Sequence, residues 1–189
     1  MDQTHIRLWK RAESQQIADC RVFRVRHDVS LDPRNERQYD FFVIEATDWI
    51  NVIPLTADGR VVLIEQYRHG IGEVTLEIPG GLVDEGESPE VAATRELAEE
   101  TGFTTNDLRL LGRTRPNPAI QNNWVHSFVA LNCTLSGSRM PDGSEDIAIR
   151  LVARSEIPHL IASGAIDHAL VVAAFYMFDQ RRSDLQIQV

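Results

Sequence analysis

One segment, residues 81–103, constrains this chain more than any other because it predicts both a helix and the character of one helix face. Its sequence is GLVDEGESPEVAATRELAEETGF. Ser88 is a favourable N-cap, Pro89 is a favourable first helical residue, and Gly102 is typical of the position just past a helix C-terminus. The segment therefore predicts a helix that begins near Pro89 and ends at Thr101.

Three glutamates share one side of this predicted helix. At about 100° per residue, Glu96, Glu99 and Glu100 fall together. The residues predicted to face the core lie on the opposite arc: Val91, Thr94, Leu97, Ala98 and Thr101. Like charges three or four residues apart cost about 0.2–0.5 kcal/mol per pair, and only Arg95 is close enough in sequence to relieve one of them. The face is either a solvated acidic surface or a site for Mg²⁺ or Mn²⁺. In either case we expect it to face the solvent when no metal is bound.

The flanking residues decide between these two interpretations. The segment resembles the signature of the Nudix hydrolases, and the matching positions are Gly81, Glu87, Arg95, Glu96, Leu97, Glu99, Glu100, Gly102 and Phe103. Its seven fixed identities would match by chance in about one window in 10⁸ of average composition. The resemblance implies an α/β (α+β) fold, an α/β/α sandwich with a mixed sheet. It also implies an enzyme that hydrolyses the diphosphate of a nucleoside diphosphate linked to another group.

The resemblance also implies roles for individual residues. The implied metal ligands are the side chains of Glu96 and Glu100, the side chain of Glu99 as a further or alternating ligand, and the carbonyl of Gly80. Glu87 and Arg95 are expected to pair and to fix the loop against the helix. The implied cofactor is Mg²⁺ or Mn²⁺.

Segments outside the signature resemble those of ADP-ribose and nucleoside-diphosphate-sugar pyrophosphatases. They are EQYR at 65–68, LEIPGG at 76–81 and the proline at 118. Residues 119–123 (AIQNN) depart from the glycine-containing, often acidic stretch of the ADP-ribose enzymes. This departure favours a broader range of nucleoside-diphosphate sugars, with GDP-mannose as one candidate. One alternative is a Nudix hydrolase of another dinucleotide or of a nucleoside triphosphate. A non-catalytic nucleotide-sensing module is a further alternative, although such modules usually lose signature carboxylates that are all present here.

Three further residues are candidates for substrate binding, each with a structural alternative. Arg68 is either a surface residue or a bidentate clamp for a phosphate. Glu77 either caps backbone amides of the following turn or, as in related enzymes, lies near the metals. Trp49 is either a core residue or a platform on which a nucleobase stacks.

The general base is the hardest role to assign from the sequence. Related pyrophosphatases carry a catalytic glutamate on a mobile loop, and residues 140–146 (MPDGSED) form a loop at a similar place. Glu145 matches that glutamate best, with Asp146 as the neighbouring alternative. Glu145 could also simply solvate the turn, since exposed acids are common in loops. Glu99 and His126 are the other candidates, although a lone histidine more often has a structural role.

The remaining sequence predicts the organisation of the chain and excludes some partners. Strands are predicted at 20–31, 39–46, 49–56, 61–68, 124–131 and 147–153, and helices at 155–163 and, capped by Asp167, at 168–182. Residues 1–47 exceed a minimal Nudix domain at 48–189, and the resemblance implies an N-terminal β segment that forms a homodimer. The net charge of −9 argues against nucleic-acid binding. We expect a cytoplasmic protein with no membrane partner, because no signal peptide or long apolar run is visible.

Overall fold

The computed structural model describes residues 6–137 and 146–187. The chain divides into two compact units. The first unit comprises Met1–Thr47 and Arg115–Asn123, and the second comprises Asp48–Thr114 and Trp124–Val189.

The first unit contains an antiparallel sheet. Its strands, in spatial order, are β1 (Lys10–Asp19), β2 (Arg24–Leu31) and β3 (Gln38–Glu45). The sequence predicted strands at 20–31 and 39–46 but not β1, whose residues are polar and exposed along almost its whole length. Strand β1 pairs with β2 from Lys10↔Leu31 to Asp19↔Arg24, so its conformation depends on pairing rather than on a hydrophobic pattern.

The second unit is built on a mixed sheet. Its strands are β4 (Trp49–Thr56), β5 (Arg60–Arg68), β6 (Glu73–Glu77), β7 (Gly80–Leu82), β8 (Phe103–Thr104), β9 (Asp107–Thr114), β10 (Val125–Leu135) and β11 (Ile147–Ala153). The spatial order is β11-β5-β4-β10-β8, with β6 paired to β5, β7 to β4 and β9 to β10. Strands β4 and β10 are parallel, whereas the other pairs are antiparallel.

Helices cover both faces of this sheet. They are α1 (Pro89–Thr101), α2 (Ile157–Ala162), which follows a 3₁₀ turn at Arg154–Glu156, and α3 (Ala169–Arg181). Alternate residues of β4 enter different hydrophobic clusters: Ile50 and Val52 pack with residues of α1, and Ile53 and Leu55 pack with residues of α2 and α3. The predicted three-layer α/β/α arrangement is therefore confirmed. None of the helices within the described residues is long and apolar enough to cross a membrane.

The bounds of α1 were predicted correctly, but the face that it buries was not. The Ser88 hydroxyl accepts a hydrogen bond from the Val91 amide, and Gly102 ends the helix with φ 74°. The buried residues are Ala92, Ala93, Leu97, Glu100 and Thr101, whereas Val91 and Thr94 are exposed. The expectation that the whole glutamate face is exposed is therefore wrong, because Glu100 lies in the interior.

The start of α3 also differs from the prediction. His168, not Asp167, occupies the N-cap position, and its side chain makes no capping hydrogen bond within the described residues. The strand β9 was not predicted either.

Candidate active site

Two carboxylates of α1 converge on the backbone of Gly80 and Gly81. The amide of Gly80 donates a hydrogen bond of 3.0 Å to Oε2 of Glu100. A Cβ atom at Gly81 would overlap the carboxylate of Glu96, so only glycine leaves room for that side chain. A Cβ at Gly80 would lie 2.6 Å from the carbonyl oxygen of Ile50, because β7 pairs closely with β4. The Gly-Gly pair therefore lets the backbone of β7 approach the carboxylates of α1 closely.

Arg95 connects the signature loop to the other glutamates of the helix. Its guanidinium donates to both oxygens of Glu87 at 3.1 and 2.9 Å. It also donates to Glu96 at 2.8 Å, to Glu99 at 3.1 Å and to the carbonyl of Leu82 at 3.1 Å. The hydrogen bond with Glu87 is the main cause that raises the pKa of Arg95, and the same bond lowers the pKa of Glu87. Arg95 thus holds the loop against α1 and orients Glu96.

The three glutamates of the face differ in exposure. The residue Glu100 is 2% exposed. The side chain of Glu96 is 14% exposed and that of Glu99 is 41% exposed. Exposure therefore increases from Glu100, which lies beside Gly80, through Glu96 to Glu99.

The donor chemistry of this region fits a hard divalent cation. Glu96 and Glu100 lie one helical turn apart and present oxygen atoms beside the Gly80–Gly81 backbone. Among residues 6–137 and 146–187, no three His, Cys, Asp or Glu side chains form a ready-made metal cluster. Mg²⁺ is nevertheless usually bound by one or two carboxylates together with water and substrate phosphates, so a pair of glutamates is an adequate set.

A second polar cluster lies on the β5–β6 hairpin. Arg68 donates to both oxygens of Glu77, from Nε at 2.7 Å and from Nη2 at 2.8 Å. Thr75 Oγ1 lies 2.6 Å from Glu77 Oε1, and His168 Nδ1 lies 2.8 Å from Glu77 Oε2. Burial opposes ionisation of Glu77, but the hydrogen bonds from Arg68, His168 and Thr75 outweigh it and hold the pKa of Glu77 well below its usual range. Glu77 is therefore an ionised, buried acceptor.

The other predicted residues occupy different settings. Trp49 begins β4 and is partly buried, and its indole N–H has no hydrogen-bond partner among the described residues. His126 Nε2 lies 3.0 Å from Asp48 Oδ2, and Asp48 Oδ1 accepts a hydrogen bond from the Trp124 amide. Glu145 lies outside the described residues, and Asp146 is exposed.

Sequence reasoning missed three members of these clusters. Thr75 could have been found, because it alternates with Glu77 along one strand and therefore shares its face. His168 and Asp48 carry no comparable signal, since their partners Glu77 and His126 are distant in sequence and are brought close only by the fold.

Comparison with known proteins identifies relatives of this arrangement. The NUDIX domain family matches residues 47–175, which is more than half of the chain. An ADP-ribose pyrophosphatase of Bacillus subtilis is 29% identical over 140 residues, covering 74% of this chain and 75% of that protein. An ADP-sugar pyrophosphatase of Mus musculus is 32% identical over 144 residues, covering 71% of this chain and 66% of that protein.

The fold is also that of a solved structure. A crystal structure of an ADP compounds hydrolase superposes with a TM-score of 0.85 and covers 99% of this chain and 100% of its own. The two sequences are 22% identical, so this similarity concerns the fold alone.

Proposed function

Because the chain belongs to the Nudix family, we propose that it hydrolyses the diphosphate bond of a nucleoside-diphosphate sugar, releasing a nucleoside monophosphate and a sugar phosphate. ADP-ribose is the first candidate substrate, since the similar proteins include an ADP-ribose and an ADP-sugar pyrophosphatase. The observation that carries the proposal is the convergence of the Glu96 and Glu100 carboxylates on the Gly80–Gly81 backbone.

Reaction at this site would use a divalent metal, in keeping with the family, and Mg²⁺ or Mn²⁺ is our specific proposal. Glu96 and Glu100 would hold it, with the Gly80 carbonyl and Glu99 as additional ligands. A bound ion of this kind neutralises charge on the diphosphate and activates water. Oxygen donors of these types favour such hard cations over softer metals.

The chain's own residues would bind and orient the substrate. Arg68 is proposed to contact a phosphate, because its side chain is 42% exposed while its Nε and Nη2 are fixed by Glu77. Glu77 would act by holding Arg68 rather than by capping the Pro-Gly-Gly turn. Trp49 is proposed to stack on the base, with part of its indole packed against the protein at the start of β4.

The reaction also requires a proton acceptor near the scissile diphosphate. Glu145 is the first candidate by resemblance, and Glu99 is the second because it is the most exposed glutamate of the face. Asp146 and His126 are weaker candidates. The contact between His126 and Asp48 supports a structural role for that histidine.

We also propose a homodimer formed through the first unit. That unit presents exposed apolar side chains at positions such as Ile6, Leu8, Trp9, Tyr39, Phe41 and Phe42. Trp9 packs edge-on against Tyr39 and Phe41, which gathers part of this surface into one aromatic patch. Exposed patches of this type mark interaction surfaces. Sedimentation should give a dimer for the full chain and a monomer after deletion of residues 1–45, and a monomeric full chain would refute this assembly. A cytoplasmic location remains part of the proposal.

A turnover screen tests the proposed function. The purified full chain is incubated with ADP-ribose, ADP-glucose, GDP-mannose, dinucleotides and nucleoside triphosphates, each with Mg²⁺ and with EDTA. We expect monophosphate and sugar phosphate from ADP-ribose or another nucleotide sugar, with activity lost in EDTA and restored by Mg²⁺ or Mn²⁺. Turnover of triphosphates or dinucleotides alone would refute the substrate class. Binding without turnover would favour a sensing module.

A further inference from the structure

We propose that His168 is a positioning residue, which fixes the guanidinium of Arg68 through their shared acceptor Glu77. The inference rests on the proposed function, in which Arg68 contacts the substrate diphosphate. No pattern in the sequence assigns a role to His168, and its partner lies 91 residues away.

Each oxygen of the Glu77 carboxylate accepts hydrogen bonds from two donors. We call this carboxylate with Arg68, Thr75 and His168 the hub. Arg68 Nε and Thr75 Oγ1 share Oε1, at 2.7 and 2.6 Å. Arg68 Nη2 and His168 Nδ1 share Oε2, both at 2.8 Å. The carboxylate is buried, whereas the side chains of Arg68 and His168 are 42% and 39% exposed. The Glu77 carboxylate therefore lies in the interior, whereas the two side chains that share its Oε2 reach the surface.

The donors of this hub come from different parts of the second unit. Arg68 and Thr75 belong to the same β5–β6 hairpin as Glu77, with Arg68 opposite Glu73 and Thr75 opposite Gln66. His168 comes from the start of α3. Of the four hydrogen bonds above, the one from His168 is thus the one that links the hairpin to another element.

The start of α3 has its own anchor beside the glycine pair. Asn51 Nδ2 donates to the carbonyl of Leu170 at 3.2 Å, and Asn51 lies opposite Gly80 in the pairing of β4 with β7. His168 therefore lies two residues before Leu170, whose carbonyl is hydrogen-bonded to β4, the strand that pairs with Gly80. Through this route the position of Arg68 is set relative to the backbone at which Glu96 and Glu100 converge.

The chemistry defines which substitution should preserve the role. An ionised carboxylate only accepts hydrogen bonds, so His168 Nδ1 must carry the hydrogen. An asparagine amide nitrogen comes close to the place of Nδ1, whereas leucine fills a similar volume without a donor. Loss of the donor leaves Glu77 Oε2 with Arg68 alone, and the guanidinium then loses the fixed plane that suits bidentate contact with a phosphate.

The test compares His168→Leu with His168→Asn, with His159→Leu as the matched control because His159 is an exposed histidine of the neighbouring helix α2. The first measurement is the Nε–Hε resonance of Arg68 in ¹H–¹⁵N spectra, assigned with Arg68→Lys. The second is KM and kcat for ADP-ribose with Mg²⁺. We expect His168→Leu to shift or broaden the Arg68 resonance and to raise KM about tenfold, the effect of one charge-assisted hydrogen bond, with kcat within about twofold of wild type. His168→Asn and His159→Leu should resemble the wild type.

An unchanged Arg68 resonance in a folded His168→Leu protein would overturn the inference, as would a His168→Asn variant that behaves like His168→Leu. If His168→Leu does not fold, the ¹⁵N shifts of the wild-type imidazole decide, because hydrogen on Nε2 alone would contradict the bond to Glu77. If the wild type hydrolyses no nucleotide sugar, the proposed function fails, whereas the resonance measurement still tests the link between His168 and Arg68.

Discussion

Glu77 and Glu100 are equally buried, at 2% exposure each, yet their surroundings differ. Glu77 accepts hydrogen bonds from Arg68, His168 and Thr75, so side chains of the protein itself stabilise its charge. Glu100 accepts a hydrogen bond from the Gly80 amide and stands one turn from a second carboxylate, Glu96. A carboxylate that accepts hydrogen bonds from an arginine and two further side chains fixes local structure, whereas two neighbouring carboxylates suit an ion taken up from solution.

The largest effect should come from changing the charge of Glu100. Glu100→Gln is expected to lower kcat/KM for ADP-ribose by about 10²–10³-fold, the range for loss of one preorganised electrostatic group. Folding should be largely retained, because the glutamine amide oxygen can still accept the Gly80 hydrogen bond. Steady-state kinetics with excess Mg²⁺ measure the effect, and Glu90→Gln, an exposed glutamate of the same helix, is the control. Equal activity of Glu100→Gln and Glu90→Gln would show that the charge of Glu100 is not needed for the reaction.

A pair of alanine substitutions should separate catalysis from stability at the Gly-Gly backbone. At Gly81 the new methyl group would displace the flexible end of Glu96, so activity should fall about 10–100-fold with little change in the free energy of unfolding. At Gly80 it would meet the backbone of Ile50 and Asn51, so the free energy of unfolding should fall by about 1–3 kcal/mol. Kinetics and urea unfolding of both variants test this. Full activity in Gly81→Ala would show that the position of Glu96 does not matter.

A smaller effect, on stability, is expected at Glu77. Glu77→Gln should lower the free energy of unfolding at neutral pH by about 1–3 kcal/mol, because its buried hydrogen bonds weaken, above all those with the charged guanidinium of Arg68. Folding lowers the pKa of Glu77, so its ionisation stabilises the folded state fully above the unfolded pKa of about 4.5. That stabilisation is lost as the pH falls below this value toward the depressed folded pKa.

The gap in unfolding free energy between wild type and Glu77→Gln should therefore narrow from pH 6 to pH 3. Urea unfolding at several pH values measures it. Glu65→Gln, on the neighbouring strand β5 with a side chain that is 42% exposed, is the control and should change stability by less than about 0.5 kcal/mol. A gap that widens in acid would contradict the assigned charge state of Glu77.

Features encoded by neighbouring residues could be predicted from the sequence. The bounds of α1 follow from Ser88, Pro89 and Gly102, which act within one turn of the helix ends. The strands β4 and β11 lie at the predicted residues, since each is a short apolar run. The strand β1 could not be predicted in this way, because its polar residues become extended only by pairing with β2.

The site shows the same division between local and distant information. The spacing of Glu96, Glu99 and Glu100 was visible, and it led to the signature. The burial of Glu100 was not visible, because it depends on where the Gly80–Gly81 backbone meets the helix. The contact of His168 with Glu77 depends on how α3 meets the β5–β6 hairpin, which no local pattern encodes.

Direct metal binding tests the central claim most simply. Mn²⁺ is titrated into the wild type and into Glu96→Gln, Glu100→Gln and Glu90→Gln, and free Mn²⁺ is measured by electron paramagnetic resonance. We predict saturable binding to the wild type and to Glu90→Gln, with affinity reduced at least about tenfold in the other two variants. Wild-type Mn²⁺ affinity in both Glu96→Gln and Glu100→Gln would contradict the assignment of these carboxylates as the metal site.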